Sequence, residues 1–130
     1  MNNDLHNRQK GNLGEDIACK YIENLGFTVS ERNFQRKWGE LDIIAEKDNI
    51  VHFFEVKSVT NTLSGQFFDS HKPEENVDSW KTKHLRRIIE TYLGYSSRGL
   101  DANFQVHVLS VYMNMQSRKA KVRWLKNVIL

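Results

Sequence analysis

A chain of 130 residues with a single proline, 39% hydrophobic and 27% charged, fits one globular domain, 1–130, built around one core. The net charge of +3 and pI of about 9.0 are compatible with a nucleic-acid partner without demanding one. Cys19 is the only cysteine, which excludes an internal disulfide and a cysteine-based zinc site and fits a reducing cytoplasm; the polar stretch 1–10 lacks a signal core, and no stretch is apolar enough to span a membrane. Residues 8–25 read as a first helix, with Ile17, Ala18, Tyr21, Ile22 and Leu25 as its apolar stripe and Gly26 as its C-cap. Gly11 and Gly14 disfavour helix and are read as permitting close packing. Residues 27–34 alternate as a strand, with a turn over 33–38. Residues 41–46 and 50–58 form a hairpin about Asp48-Asn49. Residues 59–76 are polar, hold Gly65 and Pro73, and are long for a loop, which points to a lid, a binding loop or a disordered segment, mobile and bordering the acidic face. A second helix starts at Asp78 or Ser79 and runs to about Tyr95, with Leu85, Ile88, Ile89 and Tyr92 facing inward. Residues 104–113 form a nearly continuous apolar run, hence a central strand, and 119–125 alternate as a last strand. The order α-β-β-β-α-β-β contains a strand–helix–strand crossover, so the fold class is an α/β sandwich: a mixed central sheet with one parallel pair, flanked by helices.

The hairpin carries the chemistry. A two-residue loop at Asp48-Asn49 sets Asp42 opposite Glu55 and Glu40 opposite Lys57. Regular alternation puts those four on one face and Leu41, Val56, Ile43 and Phe54 on the other. Like charges directly opposite one another destabilise a sheet, so Asp42 facing Glu55 asks for a cation between them. Two carboxylates suit a hard divalent cation, Mg²⁺ or Mn²⁺. Such an ion polarises a phosphodiester and acidifies a water, and Lys57 on the same face is placed to orient that water or offset developing charge. The plainer alternative is a solvated face with a Glu40–Lys57 ion pair. Glu15, in line with Ala18, Cys19 and Ile22, points to the buried side of its helix and becomes a candidate third acid, or else an edge residue with a local salt bridge.

Candidate nucleic-acid contacts are Arg36 and Lys37 ahead of the hairpin, Lys81 on the second helix, and Lys119, Lys121 and Arg123 on the last strand. Lys81 falls on the inward side, placed to reach a phosphate or to snorkel over apolar surface. The last-strand cations form a phosphate ladder or a charged edge that resists aggregation. Trp80, Lys83 and Arg87 share the outer side of the helix, where packing under a loop is preferred to stacking on a base. The histidines show no metal-ligand spacing, and His52 and His107, inside apolar strands, are read as structural.

These pieces recur together in a known family. Gly11-x-x-Gly14-Glu15-x-x-Ala18, Arg32-Asn33, Gly39-Glu40-Leu41-Asp42-Ile43-Ile44-Ala45 and Phe54-Glu55-Val56-Lys57 resemble the YraN-like family of bacterial proteins, which are similar to archaeal Holliday-junction resolvases. The likeness extends through Pro73 to Leu93, including Lys81 and Tyr92-Leu93. It implies a restriction-endonuclease-like fold and a Mg²⁺- or Mn²⁺-dependent endonuclease, with Glu15, Asp42 and Glu55 as catalytic acids and metal ligands and Lys57 as catalytic lysine. The chain departs from the family at Val59, where Arg is usual, and at Gln105, where Asp is usual. The expected partner is DNA, branched or otherwise structured, with a second copy of the chain as a further candidate and no membrane. Two rivals stand beside this reading: a non-catalytic nucleic-acid-binding module of the same fold, and an interaction protein with a merely solvated acidic face.

Overall fold

The first helix, α1 (Asn3–Asn24), stops at a glycine for a stereochemical reason. Gly26 has φ of 98°, which lets its N–H reach the Glu23 carbonyl at 3.0 Å and the Phe27 N–H reach the Ile22 carbonyl at 3.1 Å. Leu25 lies between the last helical residue, Asn24, and this glycine, and is exposed rather than part of the inward stripe. The computed structural model describes residues 3–60 and 79–126, with side chains over 12–60 and 83–126. After α1 come β1 (Thr28–Arg36), β2 (Gly39–Lys47), β3 (Ile50–Thr60), α2 (Ser79–Tyr95), β4 (Phe104–Asn114) and β5 (Lys119–Leu125).

The strands form one sheet in the order β1-β2-β3-β4-β5. Every neighbouring pair is antiparallel except β3 and β4, which are parallel because the crossover carrying α2 joins them. This is the expected α/β sandwich with its mixed sheet. The predicted turn over 33–38 is shorter than expected. β1 continues to Arg36, which pairs with Gly39, so Lys37 and Trp38 alone form the loop. The strand is held straight on by Phe34, buried against α2 through Tyr92. Of the predicted lid, Val59 and Thr60 belong to β3, in register with Tyr112 and Met113; the rest, 61–76, lies outside the described residues.

Each face of the sheet has its own core. Ala18, Cys19 and Ile22 of α1 cover Ile43, Ala45, Phe54, Leu109 and Val111. Leu85, Ile88, Ile89 and Leu93 of α2 cover Ile44, Phe53 and Val106. Two glycines set how near the helices lie. A Cβ on Gly14 would stand 1.9 Å from Ser58 Oγ, and one on Gly39 would stand 3.2 Å from the Ile88 Cβ. α1 therefore rests on the end of β3, and α2 on the start of β2, close to the acidic residues. No helix among the described residues is long and apolar enough to cross a membrane.

Candidate metal centre

The loop residues Asp48 and Asn49 have φ of 54° and 65°, the double left-handed geometry of a tight hairpin turn. From there the ladder runs in the expected register, Lys47↔Ile50 through Ile43↔Phe54. The next pair would be Asp42 and Glu55, and there the ladder stops. The Asp42 Oδ2 instead accepts the Val56 N–H at 2.8 Å, replacing a backbone acceptor with a charged one. The carboxylate thus stands in the seam between the two strands.

Alternation also fails at this point, which corrects the expected faces. Ile43 packs toward α1, yet Leu41 packs toward α2 with Phe34 and Leu85. Val56 packs on the α1 side, so Leu41 and Val56 do not share a face. β3 alternates normally: Phe53 faces α2 and Phe54 faces α1, so Glu55 and Lys57 face α2. The reversal of β2 separates Glu40 from Lys57. Glu40 accepts a hydrogen bond from Gln35 Nε2 at 3.2 Å, while Lys57 Nζ lies 3.2 Å from Glu55 Oε1. The anticipated Glu40–Lys57 pairing is replaced by a Glu55–Lys57 pair along one strand.

Carboxylate oxygens of Glu15, Glu40 and Asp42 all lie within 4.8 Å of one another. Glu15 comes from α1, as its helical position predicted, and its side chain is 14% exposed. Glu40 is the member that sequence reasoning assigned elsewhere; its place two residues before Asp42 was the available signal. Glu55 stands outside this trio, on the other side of Asp42. A cleft of about 560 Å³ between the hairpin and α2 is lined by Glu40, Asp42, Glu55 and Lys57 together with Trp38 and His84.

The electrostatics follow from burial. Burial pushes the Asp42 carboxyl up to about 7, reinforced by Glu15, Glu55 and Glu40 and opposed by the Val56 N–H. Burial also raises Glu15, and the guanidinium of Arg32 partly offsets this. Arg32 reaches Glu15 at 3.5 Å and Asp16 at 2.9 Å. The donors are all hard oxygens, crowded enough that Asp42 holds its proton near neutrality. That donor set fits a divalent cation such as Mg²⁺ or Mn²⁺, which would take the place of that proton.

The candidate DNA contacts divide. Lys37 borders the cleft and is exposed. Arg36 lies over the Phe34 ring at 4.3 Å and donates to the Gln35 carbonyl. Lys119, Lys121 and Arg123 are exposed on edge strand β5, opposite Asn114, Tyr112 and Ser110. Ser110 is also the register partner of Lys57, so Arg123 and Lys57 flank it on the same face of the sheet. The side chains of Trp80 and Lys81 lie outside the described residues. Arg87 of α2 covers the ring of Trp38 at 4.6 Å rather than a base. His52 and His107 are buried and joined Nδ1 to Nε2 at 2.9 Å.

Residues 14–121 match the model of the uncharacterised protein family UPF0102. Among curated relatives, a UPF0102 protein of Campylobacter jejuni subsp. jejuni serotype O:23/36 (strain 81-176) is 38% identical over 101 residues, covering 78% of this chain and 81% of its own. A UPF0102 protein of Desulforamulus reducens is 36% identical over 126 residues, 96% of this chain and 98% of its own. One from Caldicellulosiruptor saccharolyticus is 31% identical over 123 residues, 95% and 98% of the two chains. Matches of this reach, together with a fold in the expected element order, place the chain in the UPF0102 family of YraN-like proteins.

Proposed function

We propose that this protein is a cytoplasmic, single-domain, Mg²⁺- or Mn²⁺-dependent endonuclease that hydrolyses DNA phosphodiester bonds, with branched or otherwise structured DNA as its substrate. The observation that carries the reading is the convergence on one seam of Glu15, Glu40 and Asp42, with Glu55 and Lys57 across it. Asp42, Glu15 and Glu55 are the proposed metal ligands, with Glu40 as an added donor. A bound divalent cation supplies Lewis-acid polarisation of the phosphodiester and a more acidic water. Lys57 is left to offset charge on the phosphate oxygens and to orient the attacking water, and its pairing with Glu55 holds the ammonium at the cleft. Lys37, Lys81, Lys119, Lys121, Arg123 and Arg36 are the proposed contacts to the DNA backbone.

The test is cleavage of linear, nicked and four-way-junction DNA in Mn²⁺, with Asp42→Ala as control. Cleavage by the wild type and loss in the variant are expected. No cleavage of any form, together with no metal-induced rise in melting temperature, hands the site to the rival reading, a non-catalytic DNA-binding module. The exposed cations of β5 favour that rival over a simple interaction protein, and salt-dependent DNA binding separates those two.

A further inference from the structure

The β1–β2 ladder turns over at a single pair of residues. Arg32, opposite Ile43, reaches Glu15 and Asp16 on α1. Phe34, opposite Leu41, packs on Tyr92 of α2. Residues two apart in a regular strand share a face. Here they lie on opposite faces in both strands, and the residues between them, Asn33 and Asp42, do not pair in the ladder. Asn33 has φ of 55°. That left-handed conformation is costly for most side chains in the middle of a strand, and asparagine is among the few non-glycine residues that adopt it readily.

The reversal has two consequences at the acidic centre. It carries Glu40 to the α1 side, where its carboxylate meets those of Glu15 and Asp42. It also turns Asp42 out of the ladder and onto the Val56 amide. Without it, regular alternation would put Glu40 and Asp42 on the face away from Ile43 and α1, out of reach of Glu15. The neighbouring Arg32 then holds Glu15 from the other side.

We propose that Asn33 is the positioning residue of the acidic centre: its left-handed backbone turns β2 over at Asp42, aims that carboxylate at the Val56 amide and brings Glu40 beside Glu15. Its consequence for catalysis rests on the metal-site reading above; its effect on Asp42 does not.

The experiment compares Asn33→Gly, Asn33→Ala and Asn33→Val with the wild type in two measurements. The first is hydrogen exchange of the Val56 amide in metal-free protein, referenced to the β4 amides so that a general loss of stability cancels. The second is Mn²⁺ affinity by calorimetry without DNA. Glycine keeps the left-handed backbone and removes the side chain, with its hydrogen bond to Glu15, so Asn33→Gly should match the wild type within about threefold in Val56 exchange, which that bond does not touch. Asn33→Ala and Asn33→Val should speed Val56 exchange by about tenfold relative to β4 and weaken Mn²⁺ binding by about as much. If the valine variant does not fold, the alanine variant decides. Wild-type behaviour in alanine and valine variants overturns the proposal. Equally fast Val56 exchange in the glycine and alanine variants also overturns it, because the amide side chain, not the backbone, would then be responsible. If the wild type binds no Mn²⁺ while Val56 exchange still follows residue 33 in this order, the metal-site reading falls and the positioning role stands.

Discussion

Two titratable clusters include residues of the β2–β3 hairpin, one buried and one half-buried, and they answer desolvation in opposite ways. His52 and His107 share one hydrogen bond inside an aromatic cage of Phe27, Phe54 and Trp124. Burial, aided by the neighbouring His52 and Lys126, lowers His107 to about 4, so the pair stays neutral and acts as core. Asp42 is half-buried beside Glu15 and the exposed Glu40, and desolvation raises its carboxyl to about 7. One cluster loses its charge without loss of hydrogen bonding; the other keeps several potential charges in one seam. A protein core tolerates the first arrangement as it stands. The second is at its most stable when a proton or a cation balances it.

The sharpest test of this contrast is catalysis. Glu55→Gln and Lys57→Ala should each lower Mn²⁺-dependent cleavage by about a hundredfold or more, measured in single-turnover assays, with circular dichroism unchanged. Lys57→Ala should keep the metal-induced rise in melting temperature, while Glu55→Gln should reduce it because a neutral amide is a poorer ligand for a hard cation. Cleavage at the wild-type rate in both would remove the division of labour between them.

Packing comes next in size. Gly14→Ala would gain about 1 kcal/mol of helix propensity, but its Cβ would stand 1.9 Å from Ser58 Oγ. Overpacking of this kind costs about 1–3 kcal/mol. Urea denaturation should show a net loss of stability, and in a Ser58→Gly background the same substitution should stabilise.

The pH dependence distinguishes the clusters by sign. A carboxyl raised from 3.8 to about 7 holds its proton more tightly when folded, so metal-free stability from Asp42 falls as pH rises through that window. A histidine lowered from 6.5 to about 4 does the reverse, and its contribution is lost as pH falls from 6.5 toward 4. The two windows overlap between about pH 4 and 6.5, where their slopes oppose each other, so removing the Asp42 contribution by Asp42→Asn or by adding Mn²⁺ should leave stability that rises with pH across that range in thermal melts. If Asp42→Asn leaves the pH profile unchanged, another group is responsible.

The smallest expected effects lie on β5. Lys121→Ala and Arg123→Ala should each reduce the salt-dependence slope of DNA binding by about one, without preference for sequence. An unchanged slope would make β5 a protected edge and nothing more.

The residues explain which parts could be read in advance. The ladder from Lys47↔Ile50 to Ile43↔Phe54 follows from Asp48-Asn49, because a two-residue turn leaves no freedom of register. Glu15 was legible because a helix fixes its direction by angle. Glu40 was not, since its face depends on a backbone reversal at Asn33 that local propensity does not announce. The long β1 was missed for a similar reason: Asn33 reads as a turn residue, and Phe34 packing on α2 keeps the strand going.

Sequence alone determined the element order, the parallel β3–β4 pair, the hairpin register and the inward direction of Glu15, because each depends on turn chemistry or periodicity within a short stretch. Tertiary structure decided which carboxylates meet. The distance from Glu40 to Glu15 depends on how closely α1 approaches over Gly14 and on which way β2 turns at Asp42. Both are settled by residues far apart in the chain packing against one another, and a charge becomes a ligand, a partner or a solvated side chain according to that packing.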